Sequence, residues 1–221
     1  MGFSETLKQE NQDLWGAILA HPYVKELGSA TLPKEKFTFY VKQDYPYLID
    51  FGRCIGLAAT KAEGIKEIQA WGQRMNGILQ ETAMLENLSA KLGIAPEDIR
   101  YAEKQPTCEA YVNHLLKVAY IGTLGENVAA MLPCMWTYMD VGHVLVDIGG
   151  YKGHHLYEEW CNAYAAPGYV DLVQSYIDVV DEIAENSGES MRNKMRQHFK
   201  LSMRYEYMFW DMAYNMEKWV V

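Results

Sequence analysis

Apolar residues recur along most of the chain at intervals of three and four, the spacing that gathers them on one side of an α-helix, and proline and glycine punctuate the runs. Ser4 offers a cap for a first helix reaching about Ala20, ended by His21-Pro22. Pro33 suits the first turn of a long second helix to about Glu63, with Gly64 behind it. A third run spans Ile65 to Leu92 and stops at Gly93 and the turn-like Ala95-Pro96-Glu97-Asp98. Thr107 can cap a fourth helix continuing to Pro133, where a missing backbone donor and a clash with the preceding turn predict a kink or a new start. The new helix carries Cys134 onward. Gly149-Gly150, Ala166-Pro167-Gly168 and Asn186-Ser187-Gly188 then separate three later segments, the last from about Ser190 to Trp219. No stretch combines sustained alternation with β-branched enrichment. The pattern predicts an all-α, single-domain bundle of about eight helices over residues 1–221, without fixed-period repeats, low-complexity stretches or long linkers.

Helical spacing also gathers polar and aromatic groups. Tyr40, Asp44, Tyr47 and Phe51 fall at i, i+4, i+7 and i+11, so a carboxylate lies on an aromatic stripe. Ser202, Glu206, Phe209 and Ala213 share a face in the last helix, and Cys134 and Tyr138 share another, one turn apart. A carboxylate among aromatic rings is partly desolvated, which raises its pKa toward the range useful for proton transfer at neutral pH. If Cys134 starts a helix, the positive end of the helix dipole favours its thiolate. Each feature also has an ordinary structural role: aromatic stripes are usually core, and free cysteine is among the most buried residue types. Three such faces in one chain shift the weight toward a site.

Composition narrows the class. With 49 % hydrophobic and 22 % charged residues, a chain of 221 residues can bury one large core. A net charge of −9 argues against a nucleic-acid partner, and the densest basic stretch, Arg192 to Arg204, is amphipathic and interleaved with Met and Phe. No apolar run approaches the roughly 20 residues that span a bilayer, and Met1-Gly2-Phe3-Ser4-Glu5 lacks the layout of a secretion signal, so no membrane partner and a cytoplasmic location are expected. Cys54, Cys108, Cys134 and Cys161 are too dispersed for a zinc knuckle or a disulfide framework, and free thiols are expected. Sixteen tyrosines suit a pocket that stacks a flat ring while offering hydroxyl groups, so a planar, polar, nitrogen-rich ligand fits.

Gln43-Asp44-Tyr45-Pro46-Tyr47-Leu48, Leu132-Pro133-Cys134-Met135-Trp136-Thr137-Tyr138, Tyr157-Glu158-Glu159-Trp160 followed by Tyr164, and Tyr205-Glu206-Tyr207-Met208-Phe209-Trp210-Asp211 resemble, in order and spacing, the motifs of the TenA-like thiaminase II family. His21-Pro22-Tyr23-Val24 resembles its early helix-turn, and the likeness runs nearly end to end. It implies a heme-oxygenase-like helical fold, a homotetramer, and hydrolysis of aminopyrimidines in thiamin salvage without a cofactor or metal. It also implies Cys134 as nucleophile, Glu206 as its acid/base partner and Asp44 as the group that grips the amino group and adjacent ring nitrogen of a pyrimidine. Tyr47, Tyr111, Tyr138, Tyr164 and Phe209 match aromatic pocket positions, with shorter local motifs around Tyr111 and Tyr164. The retained cysteine resembles the cysteine-bearing branch of the family. The expected reaction converts 4-amino-5-aminomethyl-2-methylpyrimidine to the hydroxymethyl pyrimidine and ammonia, with thiamin a slower substrate.

Two other classes bear on the same residues. Di-iron oxidases of this fold use a late His-x-x-x-Asp-x-x-His helix, whereas His143-x-x-x-Asp147 is followed here by Gly150, and His155-x-x-Glu158 sits among polar residues. His21 resembles an axial haem ligand of distant heme oxygenases, although before Pro22 it suits a helix end. A non-catalytic pyrimidine-binding or regulatory protein is the third reading, which turnover would exclude.

Overall fold

Five of the seven prolines open helices, where the missing N–H costs nothing and the fixed φ helps. In the computed structural model, which describes residues 2–220, eleven helices follow: α1 (Phe3–Glu10), α2 (Gln12–Leu19), α3 (Pro22–Gly28), α4 (Lys34–Ala59), α5 (Ile65–Leu92), α6 (Pro96–Arg100), α7 (Pro106–Ile121), α8 (Leu124–Ile148), α9 (Glu158–Tyr164), α10 (Pro167–Glu185) and α11 (Glu189–Asn215). No strand occurs among the described residues. Gly93 and Gly149 end α5 and α8 in the left-handed conformation, at φ 79° and 67°, which glycine adopts without steric cost.

The count exceeds eight because the expected first helix divides at Asn11, whose buried amide donates to Leu7 O, and because Pro22 and Pro96 start short helices of their own. Ser4 is not a cap; its N–H and hydroxyl both donate to Asp181 on α10. Gln105, not Thr107, precedes α7, and the Thr107 N–H donates instead to Glu217. α11 ends at Asn215 rather than Trp219, after which Trp219 bonds to Gln105 and Lys104.

The expected break at Pro133 is overturned. α8 runs through it from Leu124 to Ile148, and the real boundary is Thr123, whose hydroxyl accepts from the Glu126 N–H while the Glu126 carboxylate accepts from the Thr123 N–H. An interior proline costs about 3 kcal/mol. Val128, Met131, Leu132, Val141 and Leu145 of the same helix are fully buried, and each contributes roughly 1.5–3 kcal/mol, so tertiary burial outweighs the local penalty. Pro46 lies inside α4 in the same way.

α8 is the axis of the molecule, packed by α11, α10, α9, α7, α3, α2 and α4. α4 in turn packs on α5, α7 and α11. The faces of α4, α8 and α11 that carry the polar and aromatic groups therefore meet in the interior.

Candidate active site

α4 presents Tyr40, Asp44, Tyr47 and Phe51 inward, and all four are buried. α8 adds Cys134 and Tyr138, α11 adds Glu206 and Phe209, α7 adds Tyr111 and α9 adds Tyr164, again all buried. Asp44, Tyr47, Cys134 and Tyr138 line one small cavity of about 10 Å³, completed by Leu48, Phe51, Ile78, Glu81, Met135 and Tyr169. The other four expected site residues form the layer behind it. Tyr111 and Phe209 pack on Tyr47 with ring centroids 5.2 and 5.4 Å away, and Tyr164 lies 5.1 Å from Tyr138. Glu206 accepts a hydrogen bond from the Tyr111 hydroxyl.

The polar groups are linked within this aromatic box. Tyr40 donates to Asp44 Oδ2 at 3.0 Å and lies 3.0 Å from the Tyr138 hydroxyl, so Asp44, Tyr40 and Tyr138 form a short chain. The buried Tyr47 hydroxyl makes no bond of ideal geometry but faces the Cys134 thiol, whose pKa it lowers against the effect of burial. Burial pushes Glu206 up to about 8, against the lowering effect of the Tyr111 bond. Burial likewise holds Asp44 well above the usual carboxylate range, with the charge of Glu81 adding to it and the Tyr40 bond opposing.

Cys134 differs from expectation. Because α8 is continuous, the thiol sits mid-helix, out of reach of the positive helix end. Burial, then the charge of Glu206, hold its pKa well above the ordinary thiol value. No preformed thiolate results, and attack by sulfur requires a group that takes its proton. All four cysteines are free and buried, and only Cys134 faces the cavity.

The pattern of the TENA/THI-4/PQQC family matches residues 8–216. The chain belongs to this family. Within it, a protein of Halalkalibacterium halodurans named aminopyrimidine aminohydrolase is 35% identical over 220 residues, 99% of this chain and 98% of that one. A solved TenA homologue from P. horikoshii OT3 superposes with a TM-score of 0.89 at 29% identity, covering 97% of this chain and 99% of that one. A Shewanella denitrificans OS217 domain described as having a heme oxygenase-like fold matches with a TM-score of 0.76 at 13% identity, over 96% of this chain and 92% of that one. That likeness concerns fold alone, and it agrees with the expected all-α, heme-oxygenase-like architecture.

The residues considered for other chemistries do not converge. His143, Asp147 and His155 are exposed, and no group of three or more His, Cys, Asp or Glu side chains placed to hold a metal ion occurs among the described residues. His21 opens α3, its Nδ1 accepting from the Tyr23 N–H, and its Nε2 lies 3.7 Å from Asp211. No helix among the described residues is long and apolar enough to cross a membrane.

Sequence reasoning missed Glu81 and Tyr169, both in the cavity wall, and left Tyr40 as stripe rather than site. A signal for Glu81 existed. Trp71, Arg74, Ile78, Glu81, Leu85, Leu88 and Leu92 follow the three-and-four spacing of a buried stripe, and a carboxylate at such a position asks for an explanation.

Proposed function

We propose that the chain is an aminopyrimidine aminohydrolase, a thiaminase II that hydrolyses 4-amino-5-aminomethyl-2-methylpyrimidine to 4-amino-5-hydroxymethyl-2-methylpyrimidine and ammonia, and thiamin more slowly, in thiamin salvage. The observation that carries this reading is that Cys134 and Asp44 face one cavity walled by aromatic rings, with the raised carboxyl of Glu206 immediately behind. Tyr47 and Tyr138 flank a flat ring, Phe209, Tyr111 and Tyr164 hold those rings in place, and Asp44 accepts from the amino group and pairs with the adjacent ring nitrogen.

In the proposed reaction Glu206 takes the Cys134 proton, and the thiolate adds to an electron-poor ring carbon whose neighbouring nitrogen is protonated or strongly hydrogen-bonded. The exocyclic C–N bond breaks and its electron pair leaves with the nitrogen. Water adds to the methylene carbon, the C–S bond breaks, and the thiolate recovers its proton. The balance is aminomethyl plus water to hydroxymethyl plus ammonia, and no step calls on a cofactor. A cytoplasmic homotetramer completes the reading.

The test is ammonia release by the purified protein, with metal content assayed on the same sample. Cys134→Ala is expected to lower kcat by about a thousandfold or more, as loss of a covalent nucleophile does. Full activity in that variant sinks the cysteine mechanism.

A further inference from the structure

Glu81 stands where two spaces meet. It lines the small inner cavity with Cys134 and Asp44, and it also lines an outer cleft of about 280 Å³ between α5, α9 and α10. Among the described residues only Tyr169 shares that double position. Gly77, Ala163 and Gly168 keep the outer cleft wide, and a Cβ placed on Gly168 would meet nothing within 4 Å.

Two polar residues interrupt the buried stripe of α5. Arg74 has partners: its guanidinium donates to Ser175 O at 2.7 Å and lies over the rings of Trp71 and Tyr176. Glu81 has no cationic partner among the described residues and accepts only from the Tyr164 hydroxyl. Burial pushes its carboxyl up to about 7, so charge develops there near neutral pH. Glu206, by contrast, lies behind the cavity wall rather than in it.

An alkylammonium entering an aromatic cavity loses hydration worth several kcal/mol unless an anion meets it. Asp44 serves the ring edge in the reading above, which leaves Glu81 for the amine. Resting on that reading, we propose that Glu81 is the specificity-determining residue for the departing nitrogen: its carboxylate holds the protonated aminomethyl group at the junction, and substituents on that nitrogen extend past Tyr169 into the outer cleft. The ammonium already carries its protons, so when the C–N electron pair leaves with it the product is ammonia, released toward the outer cleft.

The test measures binding by calorimetry in the Cys134→Ala background, where ligand is not consumed. Adding Glu81→Gln is expected to weaken 4-amino-5-aminomethyl-2-methylpyrimidine about tenfold more than its neutral hydroxymethyl counterpart, while Glu81→Asp, which keeps the charge, preserves the preference. An unchanged ratio of the two affinities in Glu81→Gln overturns the assignment, as does failure of either pyrimidine to bind the Cys134→Ala parent. Gly168→Leu, which fills the outer cleft, is expected to weaken thiamin about tenfold more than the aminomethyl pyrimidine. Equal effects on both ligands overturn the outer-cleft half. Ammonia release by the protein that retains Cys134 is read separately, so a shifted ratio without turnover defeats the hydrolase reading and leaves the Glu81 assignment standing.

Discussion

At the scale of single residues, the difficulty the chain solves is a thiol that burial holds protonated beside a carboxyl that burial holds near neutrality. Below about 8 most of Glu206 carries a proton and cannot accept another, so the acid limb of kcat/KM is expected to rise through that range. Tyr111→Phe removes the bond that lowers the Glu206 pKa, and the limb is expected to move to higher pH, as a pH–rate profile would show. Glu206→Gln should flatten that limb and reduce kcat by about 10²–10⁴-fold. Residues of this kind were legible where helical spacing sets them against aromatic neighbours, as with Asp44 on α4 and Glu206 on α11. Glu81 was legible only as a carboxylate in the stripe of α5, because the cavity it completes needs Tyr169, which is brought beside it only by the packing of α10.

At the scale of elements, the boundaries were legible where capping chemistry is local and illegible where tertiary burial overrides it. Gly93 stops α5 as glycine in the left-handed conformation should, whereas Pro133 fails to stop α8 because the helix is buried on both sides of it. The Thr123–Glu126 capping box does what Pro133 was expected to do, and Thr123→Ala should cost about 1 kcal/mol in denaturant unfolding. α8 and α9 approach so closely at Gly142 that a Cβ there would lie 2.7–2.9 Å from backbone atoms of Tyr164 and Ala165. Backbone cannot yield as a side chain can. Gly142→Ala is therefore expected to destabilise by about 1–3 kcal/mol and, by displacing Tyr164 from Tyr138, to raise KM for the pyrimidine.

At the scale of the whole molecule, the all-α class and the acidic character were legible, since both are sums over many residues and survive errors at any one. The acidity has a local face as well. Glu206 is raised to about 8 and Glu81 to about 7, so the folded state binds protons that the unfolded chain has released above the ordinary glutamate range. Their unfavourable contribution grows as pH rises from about 4.5 to 8, and stability should fall over that window. Glu206→Gln should raise Tm at pH 8 and matter little at pH 5, each 1 kcal/mol shifting Tm by about 2–4 °C at this size. The same chambers contain no Lys, Arg or His among the described residues that line them. A phosphate ester entering them would meet carboxylates and no counter-charge among those residues, so the proposed site favours an uncharged or cationic ligand over a phosphorylated one.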